Sequence, residues 1–165
     1  MRRKKAILTL GAIGVLASVV ATFALRFNLS ALPEPGRMEV ALATRAKRIL
    51  IARASRQGIP PQPQSTEDGV TEGKLRYGVE CAACHGMDGR GLTDNGRWMY
   101  PRAADLTSTT VQKYSDQQLF WIVKNGIRLS GMPAFGQVES DERIWRIVQY
   151  VRTMPPKPPV AEAQK

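Results

Sequence analysis

Cys81-Ala82-Ala83-Cys84-His85 is the stretch on which the reading of this 165-residue chain turns. Two thiols three positions apart can reach both vinyl groups of one porphyrin and form thioethers. The next residue then places an imidazole under the iron. This is the Cys-x-x-Cys-His pattern of covalent c-type haem attachment. The chain has only two cysteines and one histidine, and all three fall within these five residues. Three alternatives compete. A zinc site normally takes four ligands drawn mainly from Cys and His, and only three exist here. A redox dithiol expects alternating strands and helices around the motif, and no such strand pattern is visible. An exported disulfide without a cofactor is the third.

Outward from the motif, the N-terminus bears on compartment. Met1-Arg2-Arg3-Lys4-Lys5 precede an uncharged, mostly apolar run from Ala6 to Leu25. As a helix that run spans about 30 Å, the thickness of a bilayer core. The basic residues in front predict a cytoplasmic N-terminus. Everything after Arg26 then lies outside, in a bacterial periplasm, with residues 1–27 as a single-pass anchor in the inner membrane. A cleaved signal peptide is the competing reading, with Val19-Val20-Ala21 as a weak cleavage site. The apolar run continues through Phe23, Ala24 and Leu25, which favours a retained anchor. Either way the remainder is exported, where covalent haem attachment takes place.

The formal net charge of +10 is unevenly placed. Residues 1–58 hold 11 Lys and Arg against 2 Asp and Glu, whereas residues 59–165 hold 13 against 12. A basic pI can signal nucleic acid. Here the excess belongs to the anchor and its neighbour, so nucleic-acid binding is set aside.

Residues 28–65 read as a basic helix and a Pro-rich linker. The helix covers about 37–57, with Leu42, Ala46, Ile49, Leu50 and Arg53 on neighbouring turns. It could lie at a membrane interface, dock a partner, or act as a solvated spacer, and these stay open. Gly58-Ile59-Pro60-Pro61-Gln62-Pro63-Gln64 favours an extended conformation. A compact domain is expected over 66–155, followed by a disordered tail over 156–165.

Three helices are readable inside the domain. One runs from about Gly69 to Val79 into the motif. A second starts at Ser115, with Gln118 completing a capping box, and stops at Asn125-Gly126. A third starts at Ser140, with Asp141 and Glu142 at its positive end. Ile144, Ile147, Val148 and Val151 form its buried stripe. The stretches between are rich in Gly and Pro. A domain of this size has a limited core, so a haem-free form is expected to fold poorly.

An iron that only changes charge wants six ligands. With no second histidine, a Met thioether is the natural sixth, and His/Met ligation raises the potential. Met1 and Met38 lie outside the domain. Met87 is too close to His85, and Met154 ends the last helix. Met132 and Met99 remain. Met132, in Gly131-Met132-Pro133-Ala134-Phe135, lies 47 residues after His85 and is the first choice. An open or water-bound site is a further alternative, and ordinary core packing of a flexible Met is the plain one. Trp98, Tyr100, Trp121, Phe135, Trp145 and Tyr150 can line a haem pocket or simply pack the core.

Residues 69–155 resemble a class I c-type cytochrome, especially the small single-haem domains of the cbb3-type family. The resemblance rests on Gly73 and Tyr77 before the motif, Cys84-His85-Gly86 with the Asp88-Gly89-Arg90-Gly91 turn, and Asn125-Gly126-Ile127. It extends to the Met132-Pro133 loop and a closing helix with Trp145, Ile147 and Tyr150. It implies an all-α fold, a small class I cytochrome c fold around one covalently bound haem c. Cys81 and Cys84 would be the thioethers, with His85 and Met132 as iron ligands. Gly73 and Tyr77 would pack the first helix on the last. A proline carbonyl usually accepts from the proximal imidazole in this family, and Pro101 is the best match.

The expected function is a membrane-anchored periplasmic one-electron carrier, not an enzyme, working with redox protein donors and acceptors in or near the membrane. The alternatives are an electron-transfer subunit of a larger membrane dehydrogenase or oxidase, and a haem sensor or enzyme with an open sixth site.

Overall fold

The computed structural model describes residues 2–26 and 30–154. The tail expected to be disordered, 156–165, lies outside the described residues. The chain divides into two units, residues 1–31 and 32–165. Among the described residues every regular element is helical.

The first unit is one helix, α1 (Arg2–Arg26). It is long and apolar enough to cross a membrane. Its large apolar side chains, among them Ile13, Leu16 and Phe23, are exposed.

The second unit begins with α2 (Arg37–Ala54). Ile51 on α2 is 2% exposed, and the Arg48 guanidinium donates to the Thr110 carbonyl at 3.5 Å. The Pro-rich run that follows is extended, as its composition implies, and it is also fastened. Ile59 packs on the main core cluster. Gln149 donates to the Pro63 carbonyl at 2.9 Å, and Arg146 donates to the Gln64 carbonyl at 3.0 Å. Gln62 donates to Asp116 at 3.1 Å. An extended run leaves its carbonyls unpaired, so they are open to side chains of a neighbouring helix. The second unit, which includes this run, spans residues 32–165.

Seven more elements follow. They are α3 (Glu67–Glu80), α4 (Ala82–His85), α5 (Asp94–Trp98), α6 (Thr109–Gln112), α7 (Asp116–Asn125), a 3₁₀ turn (Phe135–Gln137) and α8 (Asp141–Arg152). Local chemistry sets their starts. Thr66, Thr93, Ser108, Ser115 and Ser140 each accept a backbone N–H at a helix N-terminus, and Ser115 with Gln118 closes a full capping box.

Helices α3 and α8 cross at very close range. A Cβ on Gly73 would lie 2.0 Å from the Arg146 carbonyl oxygen, so only glycine permits this approach. Tyr77, fully buried, meets Tyr150 edge to face with ring centroids 5.2 Å apart. Gly73 and Tyr77 thus hold the positions expected of them. The core is two small clusters. In one, Phe120 and Trp145 pack at 4.5 Å beside Ile144 and Val148. The other holds Tyr77, Ile147, Val151 and Met154. Arg152 then ties α8 to the α6–α7 corner. It donates to Asp116 at 2.7 Å, to the Gln112 carbonyl and side chain at 3.0 Å each, and to the Tyr114 carbonyl.

Candidate functional site

The motif forms a single tight turn at the end of α3. Cys81 caps α3, and its carbonyl accepts from Cys84 at 3.2 Å and from His85 at 2.9 Å. That places two free, half-buried thiols and the imidazole on one helical turn. Burial, and then the neighbouring Glu80 carboxylate, push the Cys81 thiol up to about 12. Among the described residues no three His, Cys, Asp or Glu side chains converge as metal ligands.

The surrounding chain is built to hold this turn. The Tyr77 hydroxyl donates to the Gly86 carbonyl at 2.7 Å, fixing the motif's end to α3. The Thr93 hydroxyl lies 2.9 Å from the carbonyls of Ala83 and Cys84 while capping α5. Gly91 donates to the His85 carbonyl at 2.7 Å. The 103–106 loop lies against it, pinned by Ala103 N–H to Gly96 O at 2.9 Å and Leu106 N–H to Gly89 O at 2.7 Å. A Cβ on Gly91 would stand 2.4 Å from the Ala103 carbonyl oxygen, so this seating requires glycine.

The loop turns the Ala104 carbonyl onto His85 Nδ1 at 2.9 Å. A carbonyl only accepts, so Nδ1 carries the proton and the Nε2 lone pair is left for a metal. The carbonyl that meets this nitrogen is that of Ala104; Pro101, the residue expected there, is exposed and lies three residues upstream. Burial also lowers the His85 pKa, partly offset by the Ala104 carbonyl, which favours the neutral imidazole a metal needs.

Met132 sits half-buried in a loop closed on itself at the end of α7. Its N–H donates to the Ser130 hydroxyl at 3.2 Å, and its carbonyl accepts from Ile127 at 3.3 Å. Gly126, at φ +65, makes the turn, and a Cβ there would meet the Met132 and Pro133 carbonyl groups at 2.7 Å. Met99 lies over the neighbouring Gly131, where an added Cβ would be 2.1 Å from its terminal methyl. The two methionines considered from sequence thus come from segments packed on each other. Met154 is core, against Gly89.

Of the aromatic residues, Trp145 and Tyr150 pack within the core clusters, Trp98 is exposed, and the Tyr100 hydroxyl donates to Glu39 at 2.6 Å. Ala104, Thr93 and Gly91 escaped the sequence reading as site residues. Thr93 carried a signal in Thr-Asp-Asn-Gly, a helix start. Ala104 carried none, because a backbone carbonyl has no side-chain signature.

The donor set fits a c-type haem. It offers two unpaired thiols on one turn, and one imidazole with its Nδ1 committed to the Ala104 carbonyl and its Nε2 available. Residues 68–151, about half of the chain, match the model of the family described as cytochrome C oxidase, cbb3-type, subunit III. Among solved structures, a chain of the Kuenenia stuttgartiensis reducing HAO-like protein complex is similar in fold. Its TM-score is 0.55 at 23% identity, covering 60% of this chain and 49% of that one. This chain thus spans about half the length of that neighbour.

Proposed function

The chain belongs to the cbb3-type cytochrome c family, and from that premise we propose that it carries single electrons through one covalently held haem c on the periplasmic side of the inner membrane. Membership makes residues 68–151 a cytochrome c-type electron-carrier domain. In the proposal Cys81 and Cys84 would hold the haem through thioethers, and His85 Nε2 and the Met132 thioether would bind its iron. Bound there, haem supplies a one-electron iron couple. The chain's own residues do the rest. Ala104 holds the imidazole tautomer and its plane. Tyr77 and Thr93 hold the turn that carries both thiols. The closed 126–133 loop holds the Met132 backbone. An iron held by both side chains would have no place for an exogenous ligand, which would suit electron transfer rather than substrate chemistry.

The observation that carries this reading is the 2.9 Å contact between His85 Nδ1 and Ala104 O beside two free thiols. The test is to express the chain in a host that attaches c-type haem and compare wild type with Met132→Ala. The wild type is expected to show sharp reduced c-type bands and the weak far-red methionine-to-iron band when oxidised. The variant is expected to lose the far-red band and bind carbon monoxide. A wild type that lacks the band and binds carbon monoxide would move the protein to the sensor or enzyme class.

A second reading has one observation in its favour: the similar solved chain belongs to a multi-protein complex. Here the haem domain would be a fixed electron-transfer subunit. Stable co-purification with a larger redox protein supports that reading, and a free monomer from detergent extraction supports the independent carrier. The α1 helix would supply the anchor in either case.

A further inference from the structure

One face of α2 is used by the fold, and another is bare. Ile51 turns inward and is 2% exposed. Met38, Leu42 and Ile49, spaced at i, i+4 and i+11, share a different side and are 77%, 65% and 60% exposed. Arg45 and Arg53 fall on that same side by spacing, and Arg56 follows just past the helix end; all three are exposed. This is an apolar stripe edged by arginine, on a helix already docked to the domain.

Its charge is not balanced locally. Residues 32–58 contain two acidic side chains, Glu34 and Glu39. Both are engaged by the loop that leads to the Ala104 carbonyl. Glu34 pairs with Arg102, and Glu39 accepts from the Tyr100 hydroxyl at 2.6 Å. What faces outward is cationic and apolar. The stripe also carries no Trp, Tyr or Phe of the kind that anchors protein interfaces. Only residues 27–36 separate α1 from α2, and ten residues reach about 35 Å at full extension.

We infer that this face of α2 lies in the headgroup layer of a bilayer containing anionic phospholipid. Met38, Leu42 and Ile49 dip towards the acyl boundary, and Arg45, Arg53 and Arg56 meet the phosphates. The inference rests on the reading of α1 as a membrane anchor. It adds a role for α2 that a plain tether lacks. Ile51, Ile59 and the bonds to Pro63 and Gln64 fasten the same segment to the haem domain. A lipid-bound α2 would therefore fix which side of the domain faces the membrane.

The test uses the haem-loaded full chain, in which Cys81 and Cys84 are consumed, reconstituted in phosphatidylcholine vesicles with or without phosphatidylglycerol. Single spin labels are placed through Leu42→Cys, Ile49→Cys, Lys74→Cys and Leu16→Cys. Collisions with a water-soluble nickel chelate and with oxygen are then compared. With phosphatidylglycerol present, the labels at positions 42 and 49 are expected to lose nickel collisions and keep oxygen collisions, while the label at 74 keeps both. Adding Arg45→Gln, Arg53→Gln and Arg56→Gln is expected to restore nickel access without moving the haem spectrum. Surface attraction should weaken about fivefold for each arginine removed.

Labels at 42 and 49 that stay as nickel-accessible as the one at 74, while position 16 is protected, overturn the inference and leave the anchor standing. Exposure of position 16 overturns the anchor reading itself. Equal protection in both lipids overturns the anionic-headgroup assignment. Protection that appears only when a redox protein is added assigns the face to that protein instead.

Discussion

Tyr77 does two jobs with one side chain. Its ring packs in the core against Tyr150 of α8, one turn on from the Gly73 crossing, and its hydroxyl donates to the Gly86 carbonyl at the end of the Cys-x-x-Cys-His turn. Tyr77→Phe keeps the first job and removes the second. It should cost about 1 kcal/mol of stability, read from denaturant midpoints, with little change in the haem spectrum. The pH dependence has a definite sign. Burial raises the Tyr77 phenol above its ordinary value of 10.0. The folded state thus holds this proton more tightly than the unfolded chain does. The associated stability is fully present below about pH 10 and fades as the pH rises beyond it. The advantage of wild type over Tyr77→Phe should therefore shrink above pH 10, and paired denaturation curves at pH 8 and pH 11 would measure it. A constant difference would mean that the phenol titrates normally. Ala104 gives a contrasting lesson. Its side chain does nothing for His85, so Ala104→Gly should leave the axial spectrum essentially intact, whereas moving the loop through Gly91→Ala should disturb it. Optical spectra of the two variants separate backbone positioning from side-chain chemistry.

Elements differ in how plainly the sequence announces them. Helices α3, α7 and α8 were legible because their signals are local. Ser115 with Gln118, Ser140 with its acidic neighbours, and apolar residues at helical spacing all act within a few positions of one another. The Cys-x-x-Cys-His turn was legible for the same reason, since it occupies five consecutive residues. The docking of the 37–64 segment was not, because its contacts join residues 54 to 86 positions apart. Nothing in Pro63 or Gln64 says which side chain will find their carbonyls. The short helices α5 and α6 were missed too. Four or five residues give too little periodicity, although their Thr93 and Ser108 caps are ordinary start signals. Arg152 is the least announced of all. It looks like a basic residue at a helix end, yet it holds three partners at the α6–α7 corner. Arg152→Gln should cost about 2 kcal/mol, seen as a lower melting temperature of the haem-loaded protein. Arg128→Gln, at an exposed loop position, should cost almost nothing by the same measurement.

At the scale of the whole molecule, two units share one chain, and their roles should separate cleanly. Removal of residues 1–31 is expected to leave the haem spectrum and the melting temperature unchanged. It should lower electron transfer with membrane-bound partners, measured as turnover in native membranes. Unchanged turnover would remove the case for a tether. The strap over residues 59–64 bears on where such a cut can be made. The Pro-rich run looks like the natural seam for releasing a soluble piece, yet it is stitched into the domain. A fragment beginning at residue 66 would uncover the surfaces that Ile51 and Ile59 shield, and would take from Gln149 and Arg146 the carbonyls they bind. It should express poorly and aggregate. A fragment beginning at residue 32 keeps every one of those stitches, so a protein chemist trimming this gene should place the scissors more than thirty residues upstream of the prolines' invitation.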